Sequence, residues 1–295
     1  MSGQVPSRRI FGQVTVQESV RVAAGELAAA GVPSPQFDAE ELAAFSLGVQ
    51  RRDLWRASGV GPKFAAYVRR RAAREPLQHI TGRAHFRHLT LAVGPGVFVP
   101  RPETEVVVDA VLAASRSADH ADHGDHGPVV VDLGTGSGAI ALSVVHELPG
   151  ARVHAVEADP GAHAWAARNA AGTAVDLRLG DMADAFPDLD GTVDVVVSNP
   201  PYIPVGAVVR DPEVAAHDPA LALWSGSDGL DAVRVVERVA ARLLRAGGTV
   251  VVEHADLQGE SAPAVFAATG RWTGVADHRD LAGRDRYLTA RRATG

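Results

Sequence analysis

Cysteine is absent from all 295 residues, which excludes a disulfide framework, thiolate zinc sites, iron–sulfur clusters and a cysteine nucleophile. Long apolar runs are missing too, so no segment reaches the length needed to cross a bilayer as a helix. Met1 to Ile10 mixes Ser, Gly, Gln, Pro and Arg without an apolar stretch, which argues against a secretory signal and leads us to expect a cytoplasmic protein. The first part of the chain is short of acid: residues 1–90 hold 13 Lys and Arg against 7 Asp and Glu, or +6, leaving 16 against 28, or −12, for the remainder. A basic segment can meet nucleic acid or an acidic protein face, but clustered charge of this size is more simply a solvated helix surface. What is present, 46% hydrophobic and 22% charged residues, is the make-up of a globular chain long enough for two unequal domains.

From Val14 to about Arg74 apolar residues recur at helical spacing in Val16, Val20, Ala23, Ala24 and Leu27, then in Leu42, Phe45 and Leu47 after the Pro33-Ser34-Pro35 break. A third helix is predicted from Pro62 to Arg74, stopping before Pro76. These make a small helical domain over residues 1–85, whose Arg51, Arg52, Arg56, Arg69, Arg70, Arg71 and Arg74 supply the basic excess. Phe86 to Val99 alternates apolar and polar residues around Gly94-Pro95-Gly96, which predicts a β-hairpin linker over 86–100 with its turn at those glycines. Asp119 to His126 is rich in His and Asp, but it lacks an apolar frame to fix ligand geometry; we read a surface linker and expect no metal site. From Val129 onward short Val-rich strands alternate with helices, ending in two strands with no helix between them. The prediction for 101–295 is therefore an α/β catalytic domain, Rossmann-like, with a mostly parallel seven-stranded sheet and an antiparallel edge.

Ligands of such sheets bind beyond the C-terminal ends of the strands, so chemistry is sought there. The first strand runs into Asp132-Leu133-Gly134-Thr135-Gly136-Ser137-Gly138 and then a helix. Its glycines permit a tight turn and close approach of a ligand to backbone N–H groups. A dinucleotide fingerprint has Gly-x-Gly-x-x-Gly; here the spacing is Gly-x-Gly-x-Gly behind an acid, and Asp132 suits a cationic ligand such as the amino group of S-adenosylmethionine better than a pyrophosphate. A nicotinamide dehydrogenase is the rival class, and it would also need a hydride-transfer acid or base at a later strand end. Glu157 ends the second strand, placed to accept two ribose hydroxyls. Asp181 and Met182 follow the third, where a carboxylate can take an adenine amine and the thioether can pack on its ring.

The fourth strand leads into Ser198-Asn199-Pro200-Pro201-Tyr202. Two prolines fix two successive φ angles and remove two N–H donors, leaving rigid carbonyls free to accept. With the Asn199 side chain and the Tyr202 ring, they match an NH2 group on a planar system: two acceptors for its hydrogens and a face to stack on. Candidate catalytic residues are thus Asn199, Pro200 and Tyr202. No His or carboxylate lies within Asn199 to Pro204, so catalysis is expected to rest on geometry with no general base.

Taken together, these motifs resemble the release factor glutamine methyltransferase family over nearly the whole chain. The likeness is carried by Glu75-Pro76, Phe98-Val99-Pro100-Arg101-Pro102-Glu103-Thr104-Glu105, Asp132 to Gly138, Arg168-Asn169-Ala170, Ser198 to Ile203, Glu253-His254, Gln258-Gly259 and Arg284-Asp285-Arg286. The resemblance implies S-adenosyl-L-methionine as cofactor, S-adenosyl-L-homocysteine as product, and methylation of the side-chain amide of the Gln in the Gly-Gly-Gln motif of class I peptide chain release factors. By position it implies cofactor contacts from Gly134, Thr135, Gly136, Ser137, Gly138, Glu157, Met182 and Asn199, to which the reading above adds Asp132 and Asp181. It implies substrate contacts from Asn199, Pro200, Pro201 and Tyr202. Family members often carry Asp, Trp and Tyr where this chain has Glu157, Met182 and His79. An adenine methyltransferase acting on DNA or RNA, or a glutamine methyltransferase of a ribosomal protein, would use the same loop and remain open. A monomer with no membrane and no stable nucleic-acid partner is expected.

Overall fold

The computed structural model describes residues 15–117, 127–209 and 211–294, so Met1 to Ile10 and the His- and Asp-rich run 119–126 lie outside the described residues. The chain forms two compact units, Met1–Thr81 and Gly82–Gly295. In the first, the Thr15 hydroxyl accepts the Glu18 N–H at 3.2 Å and opens α1 (Val16–Ala29). Pro35 starts α2 (Pro35–Leu47); α3 (Phe64–Ala72) and α4 (Leu77–Thr81) follow. Val20, Leu27, Leu42, Phe64 and Val68, spaced by helical turns in the sequence, meet in its core. Helix α3 stops short of the predicted end because Arg74 takes a left-handed φ of 67°, from which its guanidinium donates to the Gly31 carbonyl at 2.6 Å.

Several of the arginines counted in this unit's basic segment are paired with its own acids, which leaves the net excess on the others. Arg71 is buried against Asp38 at 2.7 Å, Arg70 holds Glu75 at 2.5 Å, and Arg51 reaches both Glu40 and Glu41 at 3.0 Å.

The second unit begins with a hairpin, but its turn is not at Gly94-Pro95-Gly96. Strands β1 (Arg83–Phe86) and β2 (Leu89–Ala92) pair with Phe86 opposite Leu89, so the chain reverses at Arg87-His88. Arg87 adopts φ 50° there and is held by distant acids: its N–H donates to Glu105 at 3.0 Å and its guanidinium to Glu147 at 2.6 and 2.7 Å. Gly94 is needed for another reason, since a Cβ on it would lie 2.6 Å from the Trp165 ring. The hairpin is no free linker. Ala84, Phe86, Leu91, Val93, Val97 and Val99 are buried in the core of the catalytic unit.

Helix α5 (Glu105–Ser117) leads to the sheet, whose elements are β3 (Val129–Leu133), α6 (Ala139–Glu147), β4 (Arg152–Glu157), α7 (Pro160–Ala170), β5 (Asp176–Leu179) and β6 (Val193–Ser198). After α8 (Pro212–His217) come α9 (Asp231–Leu243), β7 (Leu244–Glu253), α10 (Ser261–Ala267), β8 (Trp272–Arg279) and β9 (Asp285–Arg292). The seven strands lie in the order β5-β4-β3-β6-β7-β9-β8; the first five are parallel, and β9 runs antiparallel to both β7 and β8. Alternate residues feed two cores: Val130, Val195, Val197 and Val251 face one, while Val131, Val196, Val250 and Val252 face the other with α9 and α10. A fully buried Val contributes roughly 1.5 kcal/mol or more, so unbroken Val runs are what a sheet covered on both faces selects. Strand order reverses between β3 and β6, and that places the crevice at their C-terminal ends.

Candidate active site

Four strand ends deliver the predicted residues to one cavity of about 1000 Å³. Gly134, Thr135, Gly136 and Ser137 line it from the end of β3, Glu157 from β4, Asp181 and Met182 from β5, and Asn199, Pro200, Pro201 and Tyr202 from β6. The glycine turn is drawn against β4 by the Gly134 and Thr135 N–H groups, which both donate to the Val156 carbonyl at 3.0 Å. Gly134 and Gly136 have φ of 73° and 59°, and a Cβ on either would meet no atom within 4 Å; the space it would enter is the cavity. Glu157 accepts the Gly136 N–H at 2.8 Å on one oxygen and the Asp159 N–H at 2.9 Å on the other, leaving lone pairs on both for a ligand.

Two of the expected contacts stand elsewhere. Asp132 and Gly138 are not on the cavity wall. Asp132 is 1% exposed and braces the turn from beneath: one oxygen accepts the Thr135 hydroxyl at 2.6 Å and the Ala141 N–H at 3.2 Å, while the other has no partner. Desolvation raises its pKa to about 7, against the lowering effect of those donors. Gly138, with φ 86°, closes the turn through its N–H to the Thr135 carbonyl and lets α6 begin.

The Asn-Pro-Pro-Tyr loop is tied on three sides. Ser198 donates to the Leu133 carbonyl at 2.7 Å, and the Asn199 amide donates to the Thr104 hydroxyl at 3.2 Å, leaving its oxygen to accept. Gln258 donates to the Tyr202 and Gly229 carbonyls at 3.2 and 3.3 Å. Gly229 cannot be larger, because a Cβ there would sit 2.4 Å from the Tyr202 oxygen. On the opposite side Asn169 binds both backbone groups of Ala92 at 2.8 and 3.0 Å and the Ser137 carbonyl at 2.9 Å, joining hairpin to glycine turn.

Sequence reasoning assigned no role to Glu253, Glu103, Thr104 or Arg286, all of which line the cavity. Glu253 ends β7, so the rule that singled out Glu157 at the end of β4 applies to it equally. Because Ser198 pairs with Val252, the next residues, Asn199 and Glu253, are neighbours at the strand ends. A carboxylate therefore stands at the Asn199 loop after all, although none lies within it. Burial raises the Glu253 pKa to about 7, opposed by Thr104 and Arg286. Desolvation likewise pushes the Tyr202 phenol above its usual range.

Comparison with known proteins agrees with this arrangement. Residues 18–82 match the PrmC N-terminal domain and residues 115–211 the methyltransferase small domain. The chain is 56% identical over 277 residues to a release factor glutamine methyltransferase of Streptomyces coelicolor, covering 93% of this chain and 97% of that one. It is 47% identical over 283 residues to the protein of the same name from Mycolicibacterium smegmatis, covering 94% and 98%. A 4-amino-L-phenylalanine/4-methylamino-L-phenylalanine methyltransferase of Streptomyces pristinaespiralis is 44% identical over 263 residues, covering 88% and 89%. With identity of this degree running through both units and the motif-bearing strand ends, the chain belongs to the release factor glutamine methyltransferase family.

Proposed function

We propose that the protein, a cytoplasmic monomer, transfers a methyl group from S-adenosyl-L-methionine to the side-chain amide nitrogen of the Gln in the Gly-Gly-Gln motif of class I peptide chain release factors. The observation that carries this reading is that the Asn199–Tyr202 loop shares one cavity with the glycine turn and Glu157. The residues fit the cofactor: Gly134 to Ser137 form a cradle that any side chain on Gly134 or Gly136 would fill, Glu157 keeps acceptor capacity for a diol, and Asp181 with Met182 offers a carboxylate and an apolar face. When bound, adenosylmethionine supplies a methyl group on a positively charged sulfur that leaves as a neutral thioether. Cofactor contacts are assigned to Gly134, Thr135, Gly136, Ser137, Glu157, Asp181, Met182 and Asn199, with Asp132 and Gly138 shaping the turn.

An amide nitrogen is a weak nucleophile because its lone pair is delocalised into the carbonyl. The Asn199 oxygen and the Pro200 carbonyl accept its two N–H bonds and favour pyramidalisation at nitrogen, and Tyr202 stacks on the amide plane. These are fixed dipoles that act most strongly as charge develops. Thr104 and Gln258 act through the loop by holding Asn199 and the Tyr202 carbonyl in place. The helical unit, residues 15–81, is assigned to recognition of the release factor.

The test is incubation of the protein with methyl-labelled cofactor and, in parallel, a class I release factor, the same factor with its motif Gln replaced by Ala, ribosomal proteins, duplex DNA and free 4-amino-L-phenylalanine. Label on the intact release factor and not on its Ala variant is the expected result. Label on the free arylamine or on DNA alone would overturn the substrate assignment. Asn199→Ala should lower kcat by about two orders of magnitude or more, the cost of removing one preorganised polar contact to the reacting group.

A further inference from the structure

An amide NH2 group cannot gain a methyl group and stay neutral without losing a proton, and of the carboxylates that line the cavity Glu253 is the one whose strand end adjoins Asn199. Glu253 is the last residue of β7, 2% exposed, and adjoins Asn199 across the β6–β7 pairing. Its Oε2 is buried with no hydrogen-bond partner, an arrangement that is costly unless something arrives to use it. Around it stand the Thr104 hydroxyl, the Asn199 amide, Glu103, Arg286 and the Tyr202 phenol, with Arg101 acting on the same phenol. Arg286 is the nearest source of compensation, yet two of its N–H groups go to Asp280 at 3.2 and 3.3 Å.

We propose that Glu253 is the proton acceptor of the methyl transfer, a catalytic residue: as the nitrogen pyramidalises, the hydrogen first held by the Asn199 oxygen turns to the neighbouring Glu253 carboxylate. This rests on the reading that the site methylates a planar NH2 group. The nitrogen lone pair forms the new N–CH3 bond as the carbon–sulfur bond breaks, with that bond's electron pair remaining on sulfur. The nitrogen's proton passes to the Glu253 carboxylate, and its N–H bonding pair returns to nitrogen. A sulfonium and a carboxylate enter; a neutral thioether and a neutral carboxylic acid result. At a carboxyl as buried as Glu253, ending with no net separated charge favours the forward step. Glu253 then gives its proton to solvent as product leaves.

Burial holds the carboxyl near neutrality in the ligand-free protein, at a pKa of about 7, with Glu103 raising it further and Thr104, Arg286 and Asn199 lowering it. A cation arriving beside it favours the charged form, so cofactor binding near pH 7 should expel a proton. Calorimetric titration with S-adenosylmethionine in two buffers of different ionisation enthalpy counts that proton. At pH 7 the native protein should release roughly half a proton more than Glu253→Gln, which keeps the shape but cannot titrate. By the same linkage the neutral variant should bind cofactor roughly tenfold more weakly at pH 7, and a native-like thermal unfolding transition shows that it folds. Single-turnover methylation of the release factor by Glu253→Gln should fall about 100-fold or more, and the rising limb of the native pH profile below neutrality should vanish. Glu253→Asp should recover part of the rate and restore a limb at another pH. A Gln variant with the native proton count overturns the proposal, whatever its rate; so does one with the native rate and pH profile. If the native protein transfers no methyl to a release factor, the substrate reading fails, while the proton count still decides for or against Glu253.

Discussion

Asp132 lies beneath the glycine turn with one oxygen satisfied twice and the other not at all, and its carboxyl is held at a pKa of about 7 by burial. Replacing it with Asn keeps an oxygen to accept from Thr135 and Ala141 and removes the charge. In the unfolded chain an aspartate ionises near pH 4, whereas in the fold Asp132 ionises near pH 7. Below pH 4 both states carry the proton and the group is neutral toward folding. As pH rises from 4 to 7 only the unfolded chain releases its proton, so the fold loses stability; above 7 the loss is constant. Linkage puts this loss at about 2 kcal/mol at pH 5 and about 4 kcal/mol at pH 8, both upper values because water penetration and relaxation reduce them.

A side-chain amide cannot titrate, so Asp132→Asn removes the slope. The new buried NH2 lacks a partner at any pH, which costs about 1–3 kcal/mol that does not vary. The pH-dependent part is therefore the clean readout: from pH 5 to pH 8 the difference between variant and native should move in the variant's favour by about 2–3 kcal/mol, or roughly 5–10 °C in Tm for a unit of this size. Glu253 has a carboxyl raised in the same direction and contributes its own slope to both proteins, and it is not among the charges acting on Asp132. Urea unfolding of the cofactor-free protein at the two pH values gives the numbers. A difference that is the same at pH 5 and pH 8, or that moves against the variant, would mean that Asp132 is ionised in the fold, with its donors outweighing burial, and would refute the reasoning.

Other perturbations separate the parts of the site. Glu157→Ala should weaken S-adenosylmethionine binding by about 2–3 kcal/mol, tens- to hundreds-fold by calorimetry, because a charged acceptor is lost from the end of β4; unchanged affinity would remove Glu157 from the cofactor contacts. Gly136→Ala should cost only about 1 kcal/mol of stability, since a φ of 59° is one Ala tolerates with strain, yet should sharply reduce cofactor binding because its methyl enters the cavity. In the helical unit Arg71→Ala should destabilise by about 3 kcal/mol or more, leaving Asp38 buried without its cation. Exposed Arg69→Glu should leave stability within about 0.5 kcal/mol while raising the KM for the release factor; an unchanged KM at varied salt would make the basic residues a solvated surface and nothing more.

The parallel sheet was legible in the sequence because Val129 to Val131 and Val193 to Val197 are almost uninterrupted apolar runs, and only a strand covered on both faces makes use of them. The hairpin's turn was not. Gly94-Pro95-Gly96 is the stronger local signal, while Arg87-His88 turns only because Glu105 and Glu147, far along the chain, hold the arginine in a left-handed conformation. The pairing of Arg70 and the burial of Arg71 were hidden in the same way, since a charge count cannot see which cations face their own acids.

For the site, strand ends were readable one at a time, and each carried its residues into the cavity; what sequence could not supply was their lateral order. Asn199 and Glu253 become neighbours only because β7 pairs beside β6, a fact of topology that no window along the chain contains. The vertical placement of Asp132 was equally out of reach, as whether an acid at a strand end faces the ligand or the turn beneath it depends on which N–H and hydroxyl groups the folded turn aims at it. The two misjudged carboxylates then have one physical origin. Each is buried at a strand end, so each is pushed toward neutrality, and each keeps one oxygen without a partner; they differ in that Asp132 lies off the cavity with its other oxygen committed to the turn, whereas Glu253 lines the cavity beside Asn199.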